Sequence, residues 1–164
     1  MGTDLRIVRD DDAGSTTGLE VVAVQRAALR RSMVALEDAI AAPAGSGALA
    51  WSQRVHDALG EVARAWSVHT EVTEADGGLL DEIVQAAPRL ANAVGRLRAE
   101  HGVIAEAIAE ELALGGDITI GDDAAWIEQR REALTRLLGL LARHRQRGAD
   151  LTYEAYDVDL GGME

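Results

Sequence analysis

The chain has four histidines, and the positions of three of them are the feature best suited to chemistry. Apolar residues spaced alternately three and four apart mark the inward seam of a helix. One such seam reads Val55, Leu59, Val62, Trp66, His69, Thr73; a second reads Leu90, Val94, Leu97, His101, Ile104, Ile108. A third reads Leu134, Leu137, Leu141, His144, Gly148, Leu151, and the earliest run, Val22, Arg26, Leu29, Met33, Leu36, Ile40, is apolar except for Arg26. His69, His101 and His144 thus face inward from three different helices. His56 lies thirteen residues before His69, a rotation of roughly 220° around the helix, and is expected at the rim.

Neutral imidazoles projecting from facing helices can form a preformed nitrogen site for iron or another first-row metal, with carboxylates supplying charge. The same rings could instead each donate a hydrogen bond inside a core and remain neutral. The residues alone leave both readings open.

Four helical runs must position these rings. A capping-box pattern at Thr17 and Glu20 predicts a first helix over about 18–42, ended by Pro43, Gly45 and Gly47. The second is expected from about Ala48 to about Asp76, where Gly77 and Gly78 interrupt it. The short amphipathic segment LLDEIVQAA follows, and Pro88 is placed to open a third long helix that runs to about Leu114. The segment DITIGDD reads as a loop, because it lacks the spacing and final Glu of a calcium loop. Asp122 or Asp123 can cap the last helix, which extends through His144 toward Tyr156. Tyr153 and Tyr156 are expected to pack and cap its end. The predicted fold is all-α, an antiparallel up-down-up-down four-helix bundle over residues 18–157, flanked by a flexible acidic tail (1–17) and a C-terminal tail (158–164).

Composition narrows the function. With 164 residues, 48% hydrophobic and only 3% aromatic, the chain fits one domain with a core of aliphatic residues and three Trp. A net charge of -12 repels phosphate backbones and anionic lipid, so neither nucleic acid nor a membrane is an expected partner. The absence of Cys removes thiol catalysis, disulfides and iron–sulfur ligation, and it fits a cytoplasmic location. No nucleophile elbow, P-loop or dinucleotide fingerprint is present, so no enzyme is expected. A protein partner or homo-oligomer is compatible with the pattern and is not specified by it.

The first-helix pattern RAALRRSMVALEDA, the second-helix HTEVTE, the third-helix LRAEH and the fourth-helix ARHRQRGADLTYEAY, in this order and spacing, resemble a hemerythrin-like (HHE cation-binding) domain over most of residues 20–157. The resemblance implies a non-haem iron site inside a four-helix bundle, used for oxygen binding, oxygen or redox sensing, or iron handling. His69, His101 and His144 match its ligand histidines. Four positions depart from the pattern: Arg26, Thr73, Ala105 and Gly148 stand where it has a histidine, a carboxylate, a second third-helix histidine and another carboxylate. Both bridging carboxylates are therefore missing. The implied site is a reduced one, with the three histidines and a displaced carboxylate, Glu74 or Glu100, around a single ion. The alternative is a metal-free interaction or oligomerisation module in which Arg26 pairs with one of these glutamates.

Overall fold

A computed structural model describes residues 11–45, 47–115 and 123–157, with side chains described for 20–45, 47–115 and 124–156. The described residues are helical, without strands. They form α1 (Asp11–Ala41), α2 (Ala48–Glu74), α3 (Leu79–Ala86), a single 3-10 turn (Pro88–Leu90) leading into α4 (Ala91–Leu114), and α5 (Asp123–Asp157). Residues 1–10 of the expected N-terminal tail, nearly all of the DITIGDD loop with Asp122, and the C-terminal tail 158–164 lie outside the described residues.

The first helix differs from the expectation at its start. It begins at Asp11, so the Thr17–Glu20 capping box does not open it and residues 11–17 belong to the helix rather than to a tail. No proline occurs between 11 and 41, and once a helix is nucleated each added residue brings one more backbone hydrogen bond. The other boundaries lie within a few residues of those the pattern predicts. Pro88 opens a 3-10 turn, where its missing N–H costs nothing, and α4 continues from it.

The turn after α2 depends on glycine. Gly77 adopts a φ of 69°, and its successor Gly78 has no room for a side chain: a Cβ there would sit 2.8 Å from the Ala75 carbonyl oxygen and 2.9 Å from that of Val72. This tight reversal lays α3 against the end of the bundle, where Leu79, Leu80 and Ile83 are buried.

The four long helices pack in a closed ring, α1 on α2, α2 on α4, α4 on α5 and α5 on α1. No helix among the described residues is long and apolar enough to cross a membrane. The seam residues are buried on all four helices apart from Arg26 and Gly148, which are half-buried. The core falls into two apolar clusters. One runs from Leu29 through Trp51, Leu59, Trp66, Ile104 and Leu134 to Leu141; the other joins Val22, Leu80, Ile83, Val94, Leu97 and Leu151. Between them, in sequence register on every long helix, lie Arg26, His69 with Thr73, His101, and His144 with Gly148. The fold thus holds one polar layer between two apolar plugs.

Candidate metal centre

The seam spacing delivers His69 from α2, His101 from α4 and His144 from α5 to the same level, where their exposures are 7%, 3% and 2%. One ring nitrogen from each lies within 4.8 Å of the others. The ring centroids are 4.8–5.5 Å apart, and Trp66 stands against all three at 5.3, 5.5 and 5.0 Å from His69, His101 and His144. Trp66 is itself held by its Nε1–H, which donates to the His101 carbonyl oxygen at 3.3 Å. The indole closes the apolar side of the layer.

Each ring has a distinct set of partners. His101 Nδ1 meets Glu74 Oε1 at 2.5 Å, and His144 Nδ1 meets Glu100 Oε2 at 3.1 Å. The Nε2 atoms of His69 and His144 face one another at 3.4 Å. His101 Nε2 and His69 Nδ1 are buried with no hydrogen-bond partner. A buried ring nitrogen without a partner is costly in a finished core, because the group has lost its water and gained nothing.

The sequence places Glu74 and Glu100 as displaced ligands or as partners of Arg26. The structure gives them a different position: each carboxylate grips the outer nitrogen of a histidine, on the side away from the cluster. Arg26 pairs with neither. Its Nη2 donates to Thr152 Oγ1 at 3.1 Å, and Thr152 Oγ1 in turn donates to the Gly148 carbonyl at 2.8 Å. Thr73 is also no ligand, since its hydroxyl donates to the His69 carbonyl at 2.8 Å. His56 is half-buried at the far end of α2, beside Gly115. Tyr153 and Tyr156, expected to pack and cap the end of α5, are 69% and 45% exposed and so bury little of their rings there. The apolar face they would cover is already filled by Leu151 and Ala155 against α3 and α4.

Burial favours the neutral form of His69 and His144. Burial pushes His69 down to about 3, with further lowering from His144, His101, Arg26 and Arg145. His144 is also lowered, chiefly by burial, although its hydrogen bond to Glu100 acts in the opposite direction. Burial raises Glu100, but hydrogen bonds from Arg147 and His144 outweigh it and hold the carboxylate below its usual range. Neutral imidazole is the form that donates a lone pair to a metal.

The donor set fits a metal ion. Two nitrogens bound to one tetrahedral ion at about 2.0–2.1 Å lie roughly 3.4 Å apart, which is the His69–His144 separation. An imidazole whose outer N–H is held by a carboxylate is the usual arrangement of a metal-binding histidine, and two of the three have it. A groove of about 660 Å³ opens between α2 and α4 with Trp66, Thr70, Glu74 and His101 in its lining, so it borders the cluster at His101. Opposing these features, Arg26 and Arg145 place positive charge near His69. No family model matches the chain, and no curated protein or solved structure matches it.

Proposed function

We propose that the chain is a metal-binding protein of the hemerythrin-like kind, an antiparallel up-down-up-down four-helix bundle holding one first-row metal ion, iron in the first instance, on His69, His101 and His144. The observation that carries this reading is the trio of buried imidazoles with nitrogens within 4.8 Å, two of them oriented by outer carboxylates. The ion would supply an open coordination position for a small ligand and, if iron, a redox couple. The protein supplies the rest: three imidazole ligands, an apolar wall at Trp66, and a groove between α2 and α4 that borders the site at His101.

The missing carboxylates at Thr73 and Gly148 favour one ion over two, because two dications would leave most of their charge uncompensated beside Arg26. Binding with sensing of oxygen or redox state, or iron handling, in the cytoplasm, is the role this site suits, rather than catalysis. The competing reading is a metal-free bundle, favoured by the direct approach of the His69 and His144 rings.

Anaerobic reconstitution of untagged protein with ferrous iron, and separately with cobalt(II), tests the proposal. One ion per chain, lost in His101→Ala, supports it. No stoichiometric metal after either reconstitution overturns it in favour of the metal-free bundle, and two ions per chain overturn the reduced site.

A further inference from the structure

The α1–α5 edge of the ring carries a second, unrelated concavity. A groove of about 590 Å³ runs between these helices, with Met33, Ile40 and Leu138 among its apolar lining and Arg30 and Arg145 at its side. Two hydrogen bonds fix its ends: Arg26 reaches Thr152 beyond one, and Arg131 Nη2 donates to the Ala42 carbonyl at 3.0 Å at the other. Arg30 and Arg145 therefore share the end nearer Arg26, while Ile40 lies toward Arg131.

Two guanidiniums, those of Arg30 and Arg145, border that end, and Arg26 lies close to Arg145. Among the described residues no carboxylate pairs with Arg26, Arg30 or Arg145; Arg31, Arg96 and Arg143 are likewise without one but lie outside this groove, whereas Arg89, Arg98, Arg130 and Arg147 are each neutralised by a carboxylate. Arg26 is held below its usual range by burial and by the neighbouring charge of Arg145. Glu37, the acidic residue of the lining, is seven residues from Arg30, about two turns and roughly 10 Å along the helix. Clustered guanidiniums at one end of an apolar trough match an anion with a hydrocarbon tail, and a guanidinium binds a carboxylate through two parallel hydrogen bonds. No aromatic side chain lines the groove, so it offers no stacking surface for a nucleotide or another ring compound.

We propose that the α1–α5 groove is a binding site for a free straight-chain aliphatic carboxylate, its headgroup on Arg30 and Arg145 and its chain along Met33, Leu138 and Ile40. The length from Arg30 to Ile40, roughly 15 Å of helix, accommodates an extended medium-length chain. The site shares no ligand histidine with the metal centre and does not depend on it.

Calorimetric titration of metal-free protein with decanoate, decanol and acetate reads each part of the proposal. Decanoate is expected to bind with 1:1 stoichiometry, at least tenfold more tightly than decanol or acetate. Arg30→Gln and Arg145→Gln each weaken it tenfold or more, whereas Arg31→Gln, on an exposed position outside the groove, leaves it unchanged. Leu138→Asp weakens decanoate and has little effect on acetate. Equal binding of decanol and decanoate, indifference to both arginine substitutions, or association only with anionic vesicles overturns the proposal. So does sedimentation showing that this face pairs two copies of the chain and excludes decanoate. His101→Ala retains decanoate binding, which separates this result from the fate of the metal site.

Discussion

Removing the Glu74 carboxylate tests the outer support of the site most directly. Its Oε1 accepts from His101 Nδ1, a hydrogen bond assisted by the carboxylate charge, and the His101 side chain is 4% exposed while that of Glu74 is 32% exposed. The carboxylate therefore fixes which ring nitrogen carries the proton and makes the other a better donor. Loss of such a partner costs about 10–100-fold in metal affinity, or roughly 1.4–2.7 kcal/mol. Glu100 makes the equivalent bond to His144 at 3.1 Å, but Arg147 already binds it at 2.8 Å and neutralises part of its charge. Glu74→Ala should consequently fall near the upper end of that range and Glu100→Ala near the lower. Glu74→Gln keeps an acceptor oxygen while losing the charge, and should fall between them. Anaerobic competition for ferrous iron or cobalt(II) against a chromophoric chelator measures all three. Unchanged affinity in Glu74→Ala, or a larger loss in Glu100→Ala, would refute the argument.

Four further outcomes are expected. Below about pH 6.5 an unfolded histidine takes a proton that folded His69, lowered to about 3, does not. The unfolded chain then binds more protons, so metal-free stability should fall as pH drops from 6.5 toward 3, on the order of 1 kcal/mol per pH unit from this residue, with His144 adding in the same direction. Urea midpoints at successive pH values read this, and a flat profile contradicts it. Leu59→Ala, at a fully buried position, should cost about 2–5 kcal/mol in urea unfolding. Glu111→Gln leaves the Arg130 guanidinium, 8% exposed, without its carboxylate between α4 and α5 and should cost about 3 kcal/mol; a loss under about 1 kcal/mol would show the pair to be solvated. Gly148→Asp should be accommodated, since a Cβ there meets only Leu97 Cδ2 at 3.8 Å, and should tighten metal binding by adding an anion one turn from His144. Weaker metal binding in that variant would count against the hemerythrin-like alignment of α5.

The inward placement of His69, His101 and His144 was legible because helical periodicity alone decides which face a residue takes. Their common level was legible only in outline, to within about one or two helical turns, since counting residues from the turns that Pro or Gly announces leaves His144 further from the α4–α5 connection than His101. The partners were not. Glu100 precedes His101 in the chain yet binds His144, and Glu74 follows His69 yet binds His101. Such cross-helix pairing depends on rotation and stagger between packed helices, which no periodicity within one helix encodes. The same reason hid the choice of Arg26, whose partner is the Thr152 hydroxyl of α5. The start of α1 was missed for a different cause: a capping box is a favourable beginning, but it does not oblige a helix to begin there.

Trp66 has a consequence of another kind. Its indole lies within about 5.5 Å of every ring in the cluster, while Trp51 and Trp126 form an edge-to-face pair centred on a residue fifteen positions earlier in α2, roughly 22 Å away along the axis. The three fluorophores thus divide into one at the polar layer and two remote from it. Light emitted by Trp66 is expected to respond to any change at the three rings, an ion added in reconstitution included, and the distant pair supplies an internal reference in the same spectrum. The molecule carries its own optical gauge of the site, readable in dilute solution without a label.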